Sequence, residues 1–76
     1  MHIHLFAAHK ERFGPTVELP SCATVAELAA ALATHFPHAH PPWHRCRIAV
    51  NHEFGTPESP IPADAELAVI PPVSGG

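Results

Sequence analysis

The chain of 76 residues predicts an α+β fold, a mixed sheet with one main helix packed across one of its faces. Three observations carry that reading. Two stretches with the two-residue period of half-buried strands come first, at residues 2–8 and 16–20. A capped run with apolar residues at helical spacing follows at 24–36. Two more strand-like stretches, 45–51 and 66–70, complete the body. A chain this short buries only roughly 60–65% of the surface its unfolded form exposes, so one small core and one domain, residues 1–70, are expected.

In the first stretch Ile3, Leu5 and Ala7 alternate with His2, His4 and Phe6, and the first set is expected to face the core. Phe6 is then left outward, where it either marks a contact surface or lies under a neighbouring loop. Residues 9–15 are polar and end in Gly14-Pro15, the composition of a connection. Val17 and Leu19 face inward from the second strand, which Pro20 closes, and the short gap between the two strands predicts a hairpin. Thr24-Val25-Ala26-Glu27 has the capping-box pattern, in which the threonine hydroxyl accepts from the third helical N–H and the glutamate reaches back to the cap. Val25, Leu28, Ala29, Leu32 and Phe36 form the helix's apolar stripe, and Pro37 stops it. Residues 38–44, interrupted by Pro41-Pro42, read as an irregular surface crossover. In 45–51, Cys46, Ile48 and Val50 share a face, and Asn51-His52 makes a turn. A short Glu53-Phe54 segment and a proline-rich connection, 55–64, lead to the last strand, with Leu67 and Val69 inward and Glu66, Ala68 and Ile70 outward. Strand, strand, helix, strand, strand is the β-grasp order of ubiquitin-like proteins, whose first and last strands run parallel side by side in the sheet centre.

The composition excludes several functions. With a net charge of −3 and four Lys plus Arg, there is no basic stripe for nucleic acid or for an anionic membrane, and a basic protein surface is the expected partner. The seven carboxylates are scattered and read as solvated faces. Without tyrosine, a paired-carboxylate spacing or a glycine-rich phosphate loop, no self-contained active site is expected. Cys22 and Cys46 are too far apart for a CxxC motif and too few for a disulfide framework, which suits a reducing compartment; Cys46 reads as a small core residue and Cys22 as an exposed one. The opening stretch alternates like a strand and no long apolar run is present, so a cytoplasmic protein is expected. Eight histidines, with His2 and His4 on one strand face and His35, His38, His40 and His44 around the helix end, have the density of a zinc or copper binder. They lack a fixed, convergent arrangement in the sequence, so no resident metal is expected, only a surface charge that responds to pH near neutrality.

The last six residues, Pro71-Pro72-Val73-Ser74-Gly75-Gly76, form an extended tail, residues 71–76. The prolines fix φ and remove two backbone donors, so the sheet ends there and the chain projects outward. Gly75 and Gly76 lack a Cβ, which lets the flexible end of the tail pass through a channel too narrow for side chains. Six extended residues reach on the order of 20 Å, enough to enter a partner's active site. A terminal carboxylate delivered that way can be adenylated and so become an acyl electrophile. The plainer account is a frayed terminus.

Four segments, Ile3-His4-Leu5-Phe6-Ala7, Leu19-Pro20 with Ala23-Thr24-Val25-Ala26-Glu27-Leu28, Ile48-Ala49-Val50-Asn51-His52-Glu53-Phe54, and residues 67–76, together resemble the MoaD family of sulfur carriers, the small subunits of molybdopterin synthase. The Pro-Pro-Val-Ser-Gly-Gly ending is the most specific part. The resemblance implies a sulfur-carrying cosubstrate rather than an enzyme by itself. It implies that an E1-like enzyme uses ATP to adenylate the Gly76 carboxylate, which then becomes a thiocarboxylate. It implies that Pro71, Pro72, Val73, Ser74 and Gly75 insert into the large synthase subunit, where sulfur passes to cyclic pyranopterin monophosphate during molybdenum cofactor biosynthesis. A heterotetramer of two small and two large subunits, no bound cofactor, and an interface through Phe6, Phe54 and Ile70 follow from the same resemblance. Two departures stand out: Ala63-Asp64-Ala65-Glu66 lacks the family's glycine before the last strand, and the histidine-rich crossover is foreign to it. The alternatives are a carrier of a thiamine-type pathway and a protein modifier or binding module that joins the same terminus to lysine.

Overall fold

The computed structural model describes residues 1–72; Val73, Ser74, Gly75 and Gly76 lie outside the described residues. Strand β1 (His2–His4) pairs antiparallel with β2 (Thr16–Glu18), with Ile3 opposite Val17, and Leu19 extends the pairing by donating to the Met1 carbonyl at 3.0 Å. On its other side β1 runs parallel to β5 (Leu67–Ile70), which brings Ile3 beside Leu67. Strand β3 (Arg47–Val50) lies antiparallel to β5, with Ile48 opposite Val69, and β4 (Glu53–Phe54) closes the far edge, giving the order β2-β1-β5-β3-β4. This is the β-grasp arrangement, with first and last strands parallel in the middle.

Between β3 and β4, Asn51 and His52 both take positive φ, 51° and 70°, the backbone a type I′ hairpin turn needs. Helix α2 (Val25–His35) lies over one face, sinking Val25, Leu28 and Leu32 into a core with Ile3, Leu5, Val17, Leu19, Ile48, Leu67 and Val69. Its start is capped: Thr24 Oγ1 accepts from the Glu27 amide at 3.3 Å, and Glu27 Oε1 accepts from the Ala23 amide at 3.2 Å, one residue before the expected cap. The first helical amides are satisfied by the connection after β4, Val25 donating to the Ser59 carbonyl and Ala26 to that of Pro57, both at 3.0 Å. Gly55 permits this close passage, because a Cβ there would meet Val25 Cγ2 at 3.1 Å.

Three sequence expectations are corrected. The first strand ends at His4, and residues expected as a strand end and a loop form helix α1 (Ala7–Phe13); Ala7, at φ 52°, is exposed and not a core residue. α1 has no side-chain cap and is held by tertiary contact, with His9 buried and Phe13 half-buried. Second, the crossover is not wholly at the surface: Trp43–Arg45 form a turn of 3-10 helix and Trp43 belongs to the core. The Trp43 indole N–H donates to the Phe36 carbonyl at 2.8 Å, its ring stacks on His9 with centroids 4.4 Å apart, and Phe13 lies 5.8 Å away. Third, Arg45 and Cys46 precede β3, and Cys46 and Val50 are only half-buried. A large aromatic with one polar atom satisfied recruits its own cover, so α1 and Trp43 form a second wing of the core.

Candidate functional site

Strand alternation gives the sheet a second face, formed by His4 of β1, Ala68 and Ile70 of β5, and Arg47 and Ala49 of β3, the neighbours along each strand of residues that point into the core. Ala49 and Ala68 sit directly opposite each other across β3 and β5. Their methyl groups leave a shallow floor, and a groove of about 460 Å³ opens above it. Phe6 and Phe54, at 46% and 55% exposed, stand on the two flanks, because β1 and β4 lie on opposite sides of the β5–β3 pair. Ile70, half-buried, lines the end from which the chain leaves toward Pro71.

The polar margins of this groove are organised. The Arg47 guanidinium lies 4.1 Å from the Phe54 ring centroid, a cation–π contact that holds the ring upright while leaving its outer side open. At the other end Glu66 accepts from or pairs with His52 at 2.7 Å, and its own amide donates to Asn51 Oδ1 at 2.9 Å. The groove is therefore apolar along its floor and bounded by charge at both ends, Arg47 beside the chain exit and the His52–Glu66 pair at the hairpin. Among the described residues its lining holds no cysteine, serine or lysine; large apolar side chains beside an alanine floor suit a protein surface.

Phe6, Phe54 and Ile70, singled out from the sequence, are brought together here, although Phe6 is outward as the residue before α1 rather than as part of a strand. Pro71 and Pro72 follow directly from β5; Val73, Ser74, Gly75 and Gly76 lie outside the described residues. The sequence reading missed Ala49, His4, His52 and Glu66 as groove residues. Alternation alone points Ala49 and His4 outward, whereas the His52–Glu66 pair needs the strand register.

Neither thiol belongs to the groove. Partial burial, then the nearby Glu27 carboxylate, push the Cys22 thiol above its ordinary range, and burial does the same for Cys46. The histidines are dispersed: His2 Nδ1 meets Glu18 at 2.5 Å, His9 is buried with a ring nitrogen 2.8 Å from the Pro41 carbonyl, and His35, His38, His40 and His44 are exposed. Among the described residues no three His, Cys, Asp or Glu side chains converge as a metal-holding group, and no helix is long and apolar enough to cross a membrane.

Comparison with known proteins gives three findings. The ThiS family profile matches residues 3–76. A molybdopterin synthase sulfur carrier subunit of Arabidopsis thaliana is 33% identical over 75 residues, which cover 95% of this chain and 78% of that relative. Two solved structures share the fold at a TM-score of 0.68: SAMP1 from Haloferax volcanii, 28% identical over 99% of this chain and 97% of its own, and the H. volcanii small archaeal modifier protein 1, 25% identical over 95% of each.

Proposed function

From the premise that this chain belongs to the ThiS family, we propose that it is the sulfur-carrier subunit of a molybdopterin synthase. The observation that carries the reading is the course of β5, which runs from the sheet centre, past a groove flanked by Phe6 and Phe54, into Pro71-Pro72, the residues that precede the Gly-Gly ending in the sequence. A strand buried on both edges is a rigid base for a tail, and the groove is a seat for the protein that takes it. The similarity to the Arabidopsis sulfur carrier subunit supports the choice of pathway.

The chemistry falls to the last residue. The Gly76 carboxylate attacks the α-phosphorus of ATP in an E1-like enzyme and pyrophosphate leaves, giving an acyl adenylate. A sulfur nucleophile then attacks the acyl carbon, AMP leaves, and the terminus is a thiocarboxylate. Pro71, Pro72, Val73, Ser74 and Gly75 thread the large subunit, Phe6, Phe54 and Ile70 dock the body, and the sulfur passes to cyclic pyranopterin monophosphate in a complex of two small and two large subunits. The carrier binds no cofactor of its own; ATP belongs to the activating enzyme. Deleting Gly76 is expected to abolish activation and leave the fold intact. Intact-mass and C-terminal-peptide measurement after incubation with ATP, the activating enzyme and a sulfide source tests this: a gain equal to oxygen replaced by sulfur, confined to Gly76 and ATP-dependent, is expected. The absence of that gain with an active enzyme would sink the reading.

A second reading rests on the archaeal modifier proteins that share the fold. In it the same acyl adenylate ends on a lysine of another protein. Covalent adducts through Gly76 in cells would favour it.

A further inference from the structure

The charges of this protein are sorted along the strand axis, a fact the net charge conceals. All four lysine and arginine side chains, Lys10, Arg12, Arg45 and Arg47, lie at the end of the sheet where β5 delivers Pro71. Register places them there. Arg47 pairs with Ile70, and Arg45 ends the 3-10 turn that leads into β3 at the same end. His4 pairs with Ala68 in parallel, so Phe6 is level with Ile70, and α1, which starts next, carries Lys10 and Arg12 at the same end. The Arg12 guanidinium donates to the His38 carbonyl and ties α1 to the crossover that leads into Arg45.

Five of the seven carboxylates, Glu18, Glu27, Glu53, Asp64 and Glu66, occupy the opposite end, and Glu11 and Glu58 do not. Glu18 is opposite His2, Glu53 is opposite Val50, and Glu66 precedes the start of β5. Asp64 lines a cavity with Met1 and His2, while Glu27 lies in the first turn of α2. All the ion pairs among the described residues, Met1 and His2 with Glu18 and His52 with Glu66, are at this acidic end. The four cations are exposed and, among the described residues, none meets a carboxylate. Helix electrostatics explain part of the sorting, because carboxylates are favoured at the N-terminus of α2. They do not explain Arg45 and Arg47, which lie beside the sheet.

We propose that the tail leaves through a cationic collar of Lys10, Arg12, Arg45 and Arg47, and that this collar docks on an acidic rim around the mouth of the partner protein that receives the tail. The proposal rests on the reading that the tail enters a partner. Charges separated across a small body orient it during approach: an acidic rim attracts the collar and repels the carboxylate end, so encounters arrive tail first. The collar is continuous with the groove through Arg47, whose guanidinium covers Phe54, so one partner surface can meet both. The apolar neighbours Phe6, Phe54 and Ile70 commit the site to a protein rather than to a nucleic acid, which four cations would hold weakly. The basic partner surface expected from the net charge of −3 suits only the far end of the molecule.

The body can be tested without a partner. The isotope-labelled full chain would be titrated with poly-L-glutamate, followed by backbone NMR, at about 10 mM ionic strength, where screening acts only beyond roughly 30 Å. Shifts confined to α1 and residues 45–47, and lost in a Lys10→Glu/Arg45→Glu variant, are expected. No shifts, or shifts spread evenly over the chain, overturn the collar, and equal or tighter binding of a single-stranded oligonucleotide overturns its commitment to protein. Stopped-flow association with the large synthase subunit then tests the steering. The double variant is expected to associate about tenfold more slowly than the natural chain at low salt, with the gap closing as salt screens the charges. No gap, or a gap that persists at high salt, overturns steering. A natural chain that never gains a thiocarboxylate defeats the carrier reading alone, since the poly-L-glutamate result judges the collar independently.

Discussion

The two faces of the sheet are built from the same strands by the same alternation, yet one is sealed and the other open. On the sealed side Ile3, Ile48, Leu67 and Val69 are 0%, 6%, 0% and 1% exposed beneath α2. On the open side their neighbours along the strands are His4, Ala49, Ala68 and Ile70, with Phe6 and Phe54 raised at the margins. Branched side chains supply volume where volume must be filled; alanines supply a floor where something else must fit. Leaving two phenylalanines half in water forgoes part of the burial free energy each would give, about 1.5–3 kcal/mol when complete. A protein surface docked on this face would complete that burial.

Adjacent residues of β5 sharpen the contrast most strongly. Leu67→Ala removes a fully buried side chain and is expected to cost about 2–5 kcal/mol. For a domain of 76 residues with a total stability of roughly 4–11 kcal/mol, that consumes much of the margin. Ala68→Ser, one residue along on the open face, should change stability by no more than about 0.5 kcal/mol. Urea unfolding of both variants measures the difference; equal costs would show that the open face is structural too.

Trp43 tests how far the sealed side extends. Trp43→Phe keeps a ring against His9 and Phe13 but leaves the Phe36 carbonyl without the indole donor, an expected loss of about 1–3 kcal/mol. Thermal unfolding reads it, and an unchanged midpoint would return the crossover to the surface role its sequence suggests.

The open side responds in binding instead. Phe54→Ala should leave the unfolding midpoint nearly unchanged, because the ring is 55% exposed, while weakening association with the large synthase subunit by about tenfold or more. Calorimetric titration of the two purified subunits checks both halves, and an unweakened complex would move the docking seat elsewhere.

Much of this contrast was legible in the sequence, for reasons tied to particular residues. Ile3 with Leu5, Val17 with Leu19 and Leu67 with Val69 each reveal a strand's inner face because a period of two has only one register that buries them. The Thr24 to Glu27 cap announced α2. Alternation pointed Phe6 and Ile70 outward and the family resemblance added Phe54, but neither could say that the three meet. α1 was hidden because it has no capping side chain and its exposed Lys10, Glu11 and Arg12 look like a loop; only the inward pair His9 and Phe13, at i and i+4, betrays it. Trp43 was hidden by Pro41 and Pro42, whose local meaning is irregular chain, while its burial depends on α1 and the end of α2. The charge sorting was invisible for the same reason: Lys10 and Arg47 are distant in the chain and come to the same end only through the pairing of β5 with both β1 and β3.

The thiols give the smallest contrast, between groups the fold withdraws and the terminus it presents. Burial raises both thiols above their ordinary range, and for Cys22 the Glu27 carboxylate adds to it, since a nearby negative charge disfavours a thiolate. A raised folded-state value means that less thiolate is present at any pH below it, so alkylation by iodoacetamide near pH 8 should run several-fold slower than for free cysteine and recover in urea. Glu27→Gln removes the charge and retains a side chain able to reach the Ala23 amide, so it should quicken Cys22 and leave Cys46 as it was. Mass spectrometry of the two cysteine peptides over time resolves the rates. A Cys22 that reacts faster than free cysteine, or one indifferent to Glu27, would refute the electrostatic account.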